Sequence, residues 1–156
     1  MPFTIFDHTM IQYDNDFVYI IGGIQDYSIS NKTWRINIKN NFLIEEGPPL
    51  NIPRAGHSCG KININGKVSI IVTGGTSNGS SYLDSVELLD PTSGQVWEYG
   101  PKLPFKVYGS VLINSPCGHG VILIGGDKGR RKYSNELLEL NRETSINDVR
   151  RSLVNK

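Results

Sequence analysis

The stretch from Lys67 to Ser77, KVSIIVTGGTS, is an apolar run that stops at two adjacent glycines. A strand that ends this way leads into a tight turn, into a phosphate-cradling loop that opens a helix, or into the next segment of a repeat. The pattern occurs twice more. FVYIIGG ends at Gly22-Gly23 and GVILIGG ends at Gly125-Gly126, on either side of Gly74-Gly75. The first glycines of the three pairs are 52 and 51 residues apart, a period typical of repeat architectures.

The phosphate loop fails on the residues that follow. GGTSNGSSYLD has no Gly-Lys-Ser/Thr ending, and SVELLDPTSG reads as a strand closed by a proline turn, so no helix N-terminus is there to hold an anion. Other positions keep the repeat register. EGPPLNIPRAGHS and YGPKLPFKVYGS align at an offset of 53, which sets Gly-Pro-x-Leu over Gly-Pro-x-Leu and Gly56 over Gly109. Tyr82 and Tyr133 open the matching segments YLDSVELLD and YSNELLELN at an offset of 51. A strand ending in Gly-Gly, a second strand ending near Asp90-Pro91, Trp97, and the PRAGHS of Pro53 to Ser58 together resemble a kelch repeat. The resemblance covers about residues 8 to 141. Departures lie in the flanking repeats: Trp34 and Ile44 replace the Trp97 pattern in the first, and Asp148 takes that position in the third.

The resemblance implies an all-β fold of kelch-type β-propeller blades, three four-stranded antiparallel sheets with the last incomplete, in one domain spanning 1–156. The repeats divide at about 8–53, 54–106 and 107–141, with a tail at 142–156 in which Ile146, Val149 and Leu153 are spaced as on a short helix that competes with a fourth strand. In the second repeat the strands fall near Cys59–Ile64, Val68–Thr73, Ser85–Asp90 and Val96–Tyr99. Gly22, Gly23, Gly74, Gly75, Gly125 and Gly126 are structural, ending second strands where the backbone turns sharply beside a neighbour. Trp97 packs between blades with one partner for its indole N–H. Propellers close with about 4 to 8 blades, so three leave two open faces. Further blades, self-association or an open arc each resolve that.

Composition fits. With 17 glycines and 8 prolines interrupting 38% hydrophobic residues, short strands and turns are favoured over long helices. Sixteen Lys and Arg against 15 Asp and Glu leave +1, no global field to steer nucleic acid or an anionic membrane. No apolar stretch is long enough to span a bilayer and MPFTIFDHTM lacks a signal core, so a cytoplasmic protein is expected. Asn31-Lys32-Thr33 and Asn78-Gly79-Ser80 match the glycosylation acceptor pattern and keep a secreted origin open. Cys59 and Cys117 are too few for a metal cage or a disulfide framework.

No catalytic set stands out. His57 and Ser58 are neighbours, and adjacent strand residues point to opposite faces. The carboxylates Asp84, Glu87, Asp90 and Glu98 read as edge and turn residues, and no cofactor or metal is expected. The resemblance implies a binding module rather than an enzyme, with a protein partner held by rim loops. The alternatives within such propellers are oxidases, sugar mutarotases and cytoskeletal scaffolds. Rim segments are IQDYSISNK, TSNGSSYLD, DKGRRKYSN, PPLNIPR and LPFKVY. The expected partner-binding residues are Arg54, Lys128, Arg130, Arg131, Lys132 and Tyr133, with arginine forks suited to acidic groups on the partner.

Overall fold

The computed structural model describes residues 4–64, 66–93, 96–115, 120–129, 137–141 and 151–152. In the first third of the chain the strands are β1 (Ile5–Phe6), β2 (Thr9–Gln12), β3 (Phe17–Ile21), β4 (Ile24–Gln25), β5 (Ser28–Ile29), β6 (Thr33–Asn37) and β7 (Leu43–Glu46). Next come β8 (Ser58–Ile64), β9 (Lys67–Thr73), β10 (Val86–Leu89) and β11 (Glu98–Tyr99). The last are β12 (Val111–Asn114), β13 (Gly120–Ile124), β14 (Leu137–Asn141) and β15 (Arg151–Ser152).

These strands form three antiparallel four-stranded sheets in the orders β2-β3-β6-β7, β8-β9-β10-β11 and β12-β13-β14-β15, plus a small sheet β1-β4-β5. The chain is all-β, a partial propeller-like row of blades, with no sheet closed into a barrel. Among the described residues the third blade's outermost strand pairs Arg151 with Leu138 and Ser152 with Leu137. The tail is therefore strand at that point, while Ile146, Val149 and Leu153 lie outside the described residues.

Alternation along the strands places the core between blades. Tyr19 and Ile21 of β3 meet Ile70, Val72, Leu89 and Trp97 of the second blade, with Leu50 between them. Ile62, Ile71, Val86 and Leu103 meet Val121 and Leu123 of the third. Each of these side chains contributes about 1.5–3 kcal/mol by leaving water. The leucines of the two Gly-Pro-x-Leu segments, Leu50 and Leu103, hold equivalent places, their amides donating to Asn31 O and Asp84 O.

Gly74 and Gly75 show why the strand ends as it does. Their φ angles are +65° and +89°, the region that costs an L side chain strain. An added Cβ would lie 2.6 Å from Val107 O at Gly74 and 2.6 Å from Ala55 O at Gly75, both backbone atoms that cannot rotate away. The Gly75 amide uses that closeness, donating to Val107 O at 2.8 Å, as the Gly23 amide donates to Arg54 O at 2.8 Å. Gly22-Gly23 and Gly125-Gly126 also have positive φ at the ends of β3 and β13. The backbone after each pair returns against the link that leads into its own blade's inner strand, Ile24 against Phe6, Thr76 against Ala55 and Asp127 against Tyr108.

Candidate functional site

That return gathers connections from all three blades at one end of the molecule. There Phe6 pairs with Ile24, Ala55 bridges Thr76, and Tyr108 bridges Asp127. The segment after Gly23 is a two-stranded hairpin, with Asp26 and Tyr27 at φ +50° and +63° between the paired Gln25 and Ser28. Such left-handed pairs give a hairpin turn its twist. Tyr27 is fully exposed at its tip, at 102% of its reference area.

Four side chains tie these connections together. The Tyr82 and Tyr108 rings stack with centroids 5.4 Å apart and planes 22° apart. The Tyr82 hydroxyl donates to Asp127 Oδ2 at 2.8 Å, and the Tyr108 hydroxyl donates to Asp7 Oδ2 at 3.3 Å. Burial, reinforced by the Asp7 charge, raises the Tyr108 hydroxyl above the ordinary tyrosine range. Asp127 also accepts from the Gly129 amide at 2.7 Å. Beside this cluster the Lys128 ammonium lies 3.6 Å from the centre of the Phe105 ring, a cation held on an aromatic face. Gly56 makes room, since a Cβ there would fall 2.1 Å from the Tyr108 ring.

Of the residues expected at the rim, Lys128 is there. Arg130, Arg131, Lys132 and Tyr133 lie outside the described residues. Arg54 is a correction. Its side chain is fully buried, as is that of Glu87, and the two form an ion pair at 2.5 Å. The Arg54 guanidinium also donates to Gly74 O at 3.0 Å, Ser85 O at 3.3 Å and Ser85 Oγ at 3.1 Å. Glu87 accepts from the Asn51 amide at 2.7 Å, Asn51 Nδ2 at 3.0 Å and the Ile52 amide at 3.2 Å. Arg54 therefore fastens the first interblade link to the second blade and is closed to an outside partner. Burial lowers its pKa, against the opposing pull of Glu87.

Trp97 is buried between the first two blades, its Nε1 donating to Pro48 O at 3.0 Å. His57 and Ser58 serve different junctions. His57 Nε2 is 2.8 Å from Thr9 Oγ1 of the first blade, while the Ser58 hydroxyl donates to Ser110 O at 2.6 Å on the third. Burial, with the Arg54 and His8 charges adding to it, pushes His57 down to about 3, so it is a neutral imidazole. The four carboxylates weighed as acid–base candidates are dispersed. Glu87 is tied to Arg54, Asp84 lies 4.0 Å from Lys102, Asp90 holds the Thr92 and Ser93 hydroxyls of its turn, and Glu98 is exposed on β11. Among the described residues, no three His, Cys, Asp or Glu side chains are grouped as metal ligands, and no helix is long and apolar enough to cross a membrane.

Sequence reasoning found the rim segments but not the residues that join them. Tyr82 drew notice as a repeat marker, Tyr108, Phe105 and Asp127 only as parts of quoted loops, and Asp7 not at all. The signal was an aromatic residue in four of the five rim segments, Tyr27, Tyr82, Tyr133 and the Phe105–Tyr108 pair.

No protein-family model matches the chain, and no curated protein does. Among solved structures, that of YjhT superposes with a TM-score of 0.74 at 17% identity, over 98% of this chain and 47% of that one. The chain thus spans about half the length of that protein, and the likeness is one of fold.

Proposed function

We propose that the chain is a kelch-type propeller segment that acts as a protein-binding module, its partner docking on the rim built by the post-glycine loops and interblade links. The observation that carries this reading is the convergence at Tyr108, which stacks on Tyr82 and donates to Asp7, so that loops of all three blades present one connected surface. Loops held by a rigid sheet scaffold are where binding residues concentrate. Tyrosines give large contact area at low entropic cost, as favoured at interface centres. Tyr27 adds an exposed aromatic on a left-handed backbone, a conformation that costs free energy and persists where function uses it.

Charge gives the partner's character. Asp7 and Asp127 are engaged by tyrosine hydroxyls, while the run from Lys128 to Lys132 is the densest cationic stretch of the sequence. The partner therefore presents acidic side chains near that loop, and association slows as salt rises. A cytoplasmic setting belongs to the same reading.

The test is affinity capture with the full chain, comparing wild type with Tyr27→Asn, Lys128→Ala and the double change Arg130→Ala/Arg131→Ala. Asn tolerates the left-handed backbone at position 27. Lys39→Ala, at a hairpin away from the rim, is the control. Loss of one partner in the rim variants and its retention in the control supports the module. A partner retained by all four variants, or turnover of a substrate with no partner recovered, overturns it.

A further inference from the structure

The first two blades meet in a way that the second and third do not. Tyr19 and Ile71 each stand three residues before a glycine pair, on second strands whose side chains there face the next blade. Across the ladder Ile71 pairs with Leu88, and both pack into the apolar junction that holds Val121 and Leu123. Tyr19 pairs instead with Arg35, and Arg35 pairs with Glu45. Where a leucine helps to fill the second junction, the first therefore carries a guanidinium, and beside it the two sheets part.

The gap is a cavity of about 400 Å³ lined by Tyr19, Arg35, Gly47, Pro48, Leu89 and Pro91. Its floor is fixed, because Tyr19 and Leu89 are buried and Pro48 O accepts from Trp97 Nε1 at 3.0 Å. Arg35 is held in place as well. Its Nε and Nη2 donate to Glu45 Oε2 at 3.1 and 2.5 Å, and its guanidinium carbon lies 4.7 Å from the centre of the Phe17 ring. These bonds leave Nη1 outside the pair with Glu45, on a side chain that is still half-exposed. Burial raises the Tyr19 hydroxyl above its ordinary range, so at neutral pH it stays protonated and able to donate. An apolar floor with a few convergent polar groups is the composition of a small-molecule site. A charged group standing where the repeat elsewhere closes its core with leucine breaks the local packing rule, and such breaks concentrate at functional sites.

We propose that this cavity between the first two blades binds a small monocarboxylate with an apolar body, its carboxylate accepting from Arg35 and Tyr19 and its body lying on Pro48, Leu89 and Pro91. A carboxylate matches the planar donor fork of a guanidinium. Glu45 already takes up part of the Arg35 charge, which suits a singly charged head and disfavours a phosphate dianion. The volume falls within the range of about 300–1,000 Å³ common to ligand pockets. Both walls come from the first two blades, and none of the lining residues is among those that meet at Tyr108. The inference is therefore independent of what the rim binds.

The test is a nuclear magnetic resonance titration of the full chain with benzoate and hexanoate, and with benzamide and hexanamide as their uncharged counterparts, for wild type, Arg35→Leu and Arg35→Lys. Leucine at position 35 is the residue type that Leu88 supplies at the equivalent place, and circular dichroism melting shows whether that variant is folded. Arg35→Gln replaces it if it is not. Expected are saturable shifts at the Gly47 and Leu89 amides and the Trp97 indole N–H, with half-saturation by at least one carboxylate below about 10 mM, in keeping with so few ligand atoms. The matching amide should bind about tenfold more weakly or worse, as loss of a charge-assisted hydrogen bond requires. Arg35→Leu should lose as much, and Arg35→Lys should fall between, since it keeps the charge without the fork. Failure of both carboxylates to saturate the wild type overturns the proposal. So does an amide that binds as tightly as its carboxylate, or a folded Arg35→Leu or Arg35→Gln that binds as the wild type does.

Discussion

Arg54 and Glu87 allow the interblade architecture to be tested by a double-mutant cycle. Both side chains are fully buried, 2.5 Å apart, and removing one partner of such a pair typically costs about 3–5 kcal/mol because the survivor is left as an uncompensated buried charge. The next repeat carries apolar residues at the equivalent positions. Val107 stands where Arg54 stands, its amide donating to Leu83 O as the Arg54 amide donates to Ser30 O. Leu138 stands opposite Leu123 where Glu87 stands opposite Val72. Arg54→Val/Glu87→Leu therefore places at this pair the residue types found at the equivalent positions of the next repeat. The double variant still loses the acceptor of the Asn51 and Ile52 amides and the donors to Gly74 O and Ser85 O, at about 1 kcal/mol each. Its expected cost is thus about 3–4 kcal/mol, no more than either single change and well short of their sum of about 6–10 kcal/mol. Urea unfolding followed by circular dichroism measures all four proteins, at low temperature because single changes of this size approach the whole stability of a domain. Single losses below about 1 kcal/mol, or a double loss equal to the sum of the singles within about 0.5 kcal/mol, refute the coupled buried pair.

Three further outcomes follow from the same geometry. Gly75→Ala puts a Cβ 2.6 Å from Ala55 O at φ +89°, and thermal unfolding should show a loss of about 2 kcal/mol or more; wild-type melting contradicts the close approach. His57 titrates near 6.5 when unfolded but is held down to about 3 when folded, so below about pH 6.5 the unfolded state binds the extra proton and stability falls with pH by up to about 1.4 kcal/mol per unit. His57→Gln should flatten the slope of unfolding free energy between pH 6.5 and 5, roughly the window where carboxylates contribute little, and an unchanged slope refutes the buried neutral histidine. Tyr108→Phe removes only a 3.3 Å hydrogen bond to an exposed carboxylate, so denaturation should detect less than about 1 kcal/mol, while Tyr108→Ala, which also loses the stack on Tyr82, should cost clearly more.

The glycine period made the blades legible because each pair marks a place where backbone meets backbone, a constraint that few residue types satisfy. In the second repeat the expected Cys59–Ile64 and Val68–Thr73 lie within one residue of the observed strands at each end, since the turn residues of Asn63 to Gly66 and the Gly74-Gly75 pair bound them. The fourth strand is shorter than expected, Glu98–Tyr99, because Trp97 turns inward to Pro48 instead of joining the ladder. β15 was not legible, as Ile146, Val149 and Leu153 around it carry helical spacing rather than strand alternation. Arg54 was misassigned for a physical reason. An arginine in a loop reads as a surface cation until its counter-charge is found, and Glu87 lies 33 residues further on, on β10. The rim cluster has the same difficulty on a larger scale, with partners 45 and 101 residues apart joining Tyr82 to Asp127 and Tyr108 to Asp7. Repetition reports where loops go, and only the folded chain reports which side chains meet there.

Hydrogen exchange of the full chain with and without the captured partner tests the central claim most directly. The account predicts added protection at residues 24–29, 76–83, 103–109 and 127–129, the connections that meet at the rim. Protection confined to the hairpins at 13–16 and 38–42, away from the rim, with the rim exchanging as in the free protein, contradicts it.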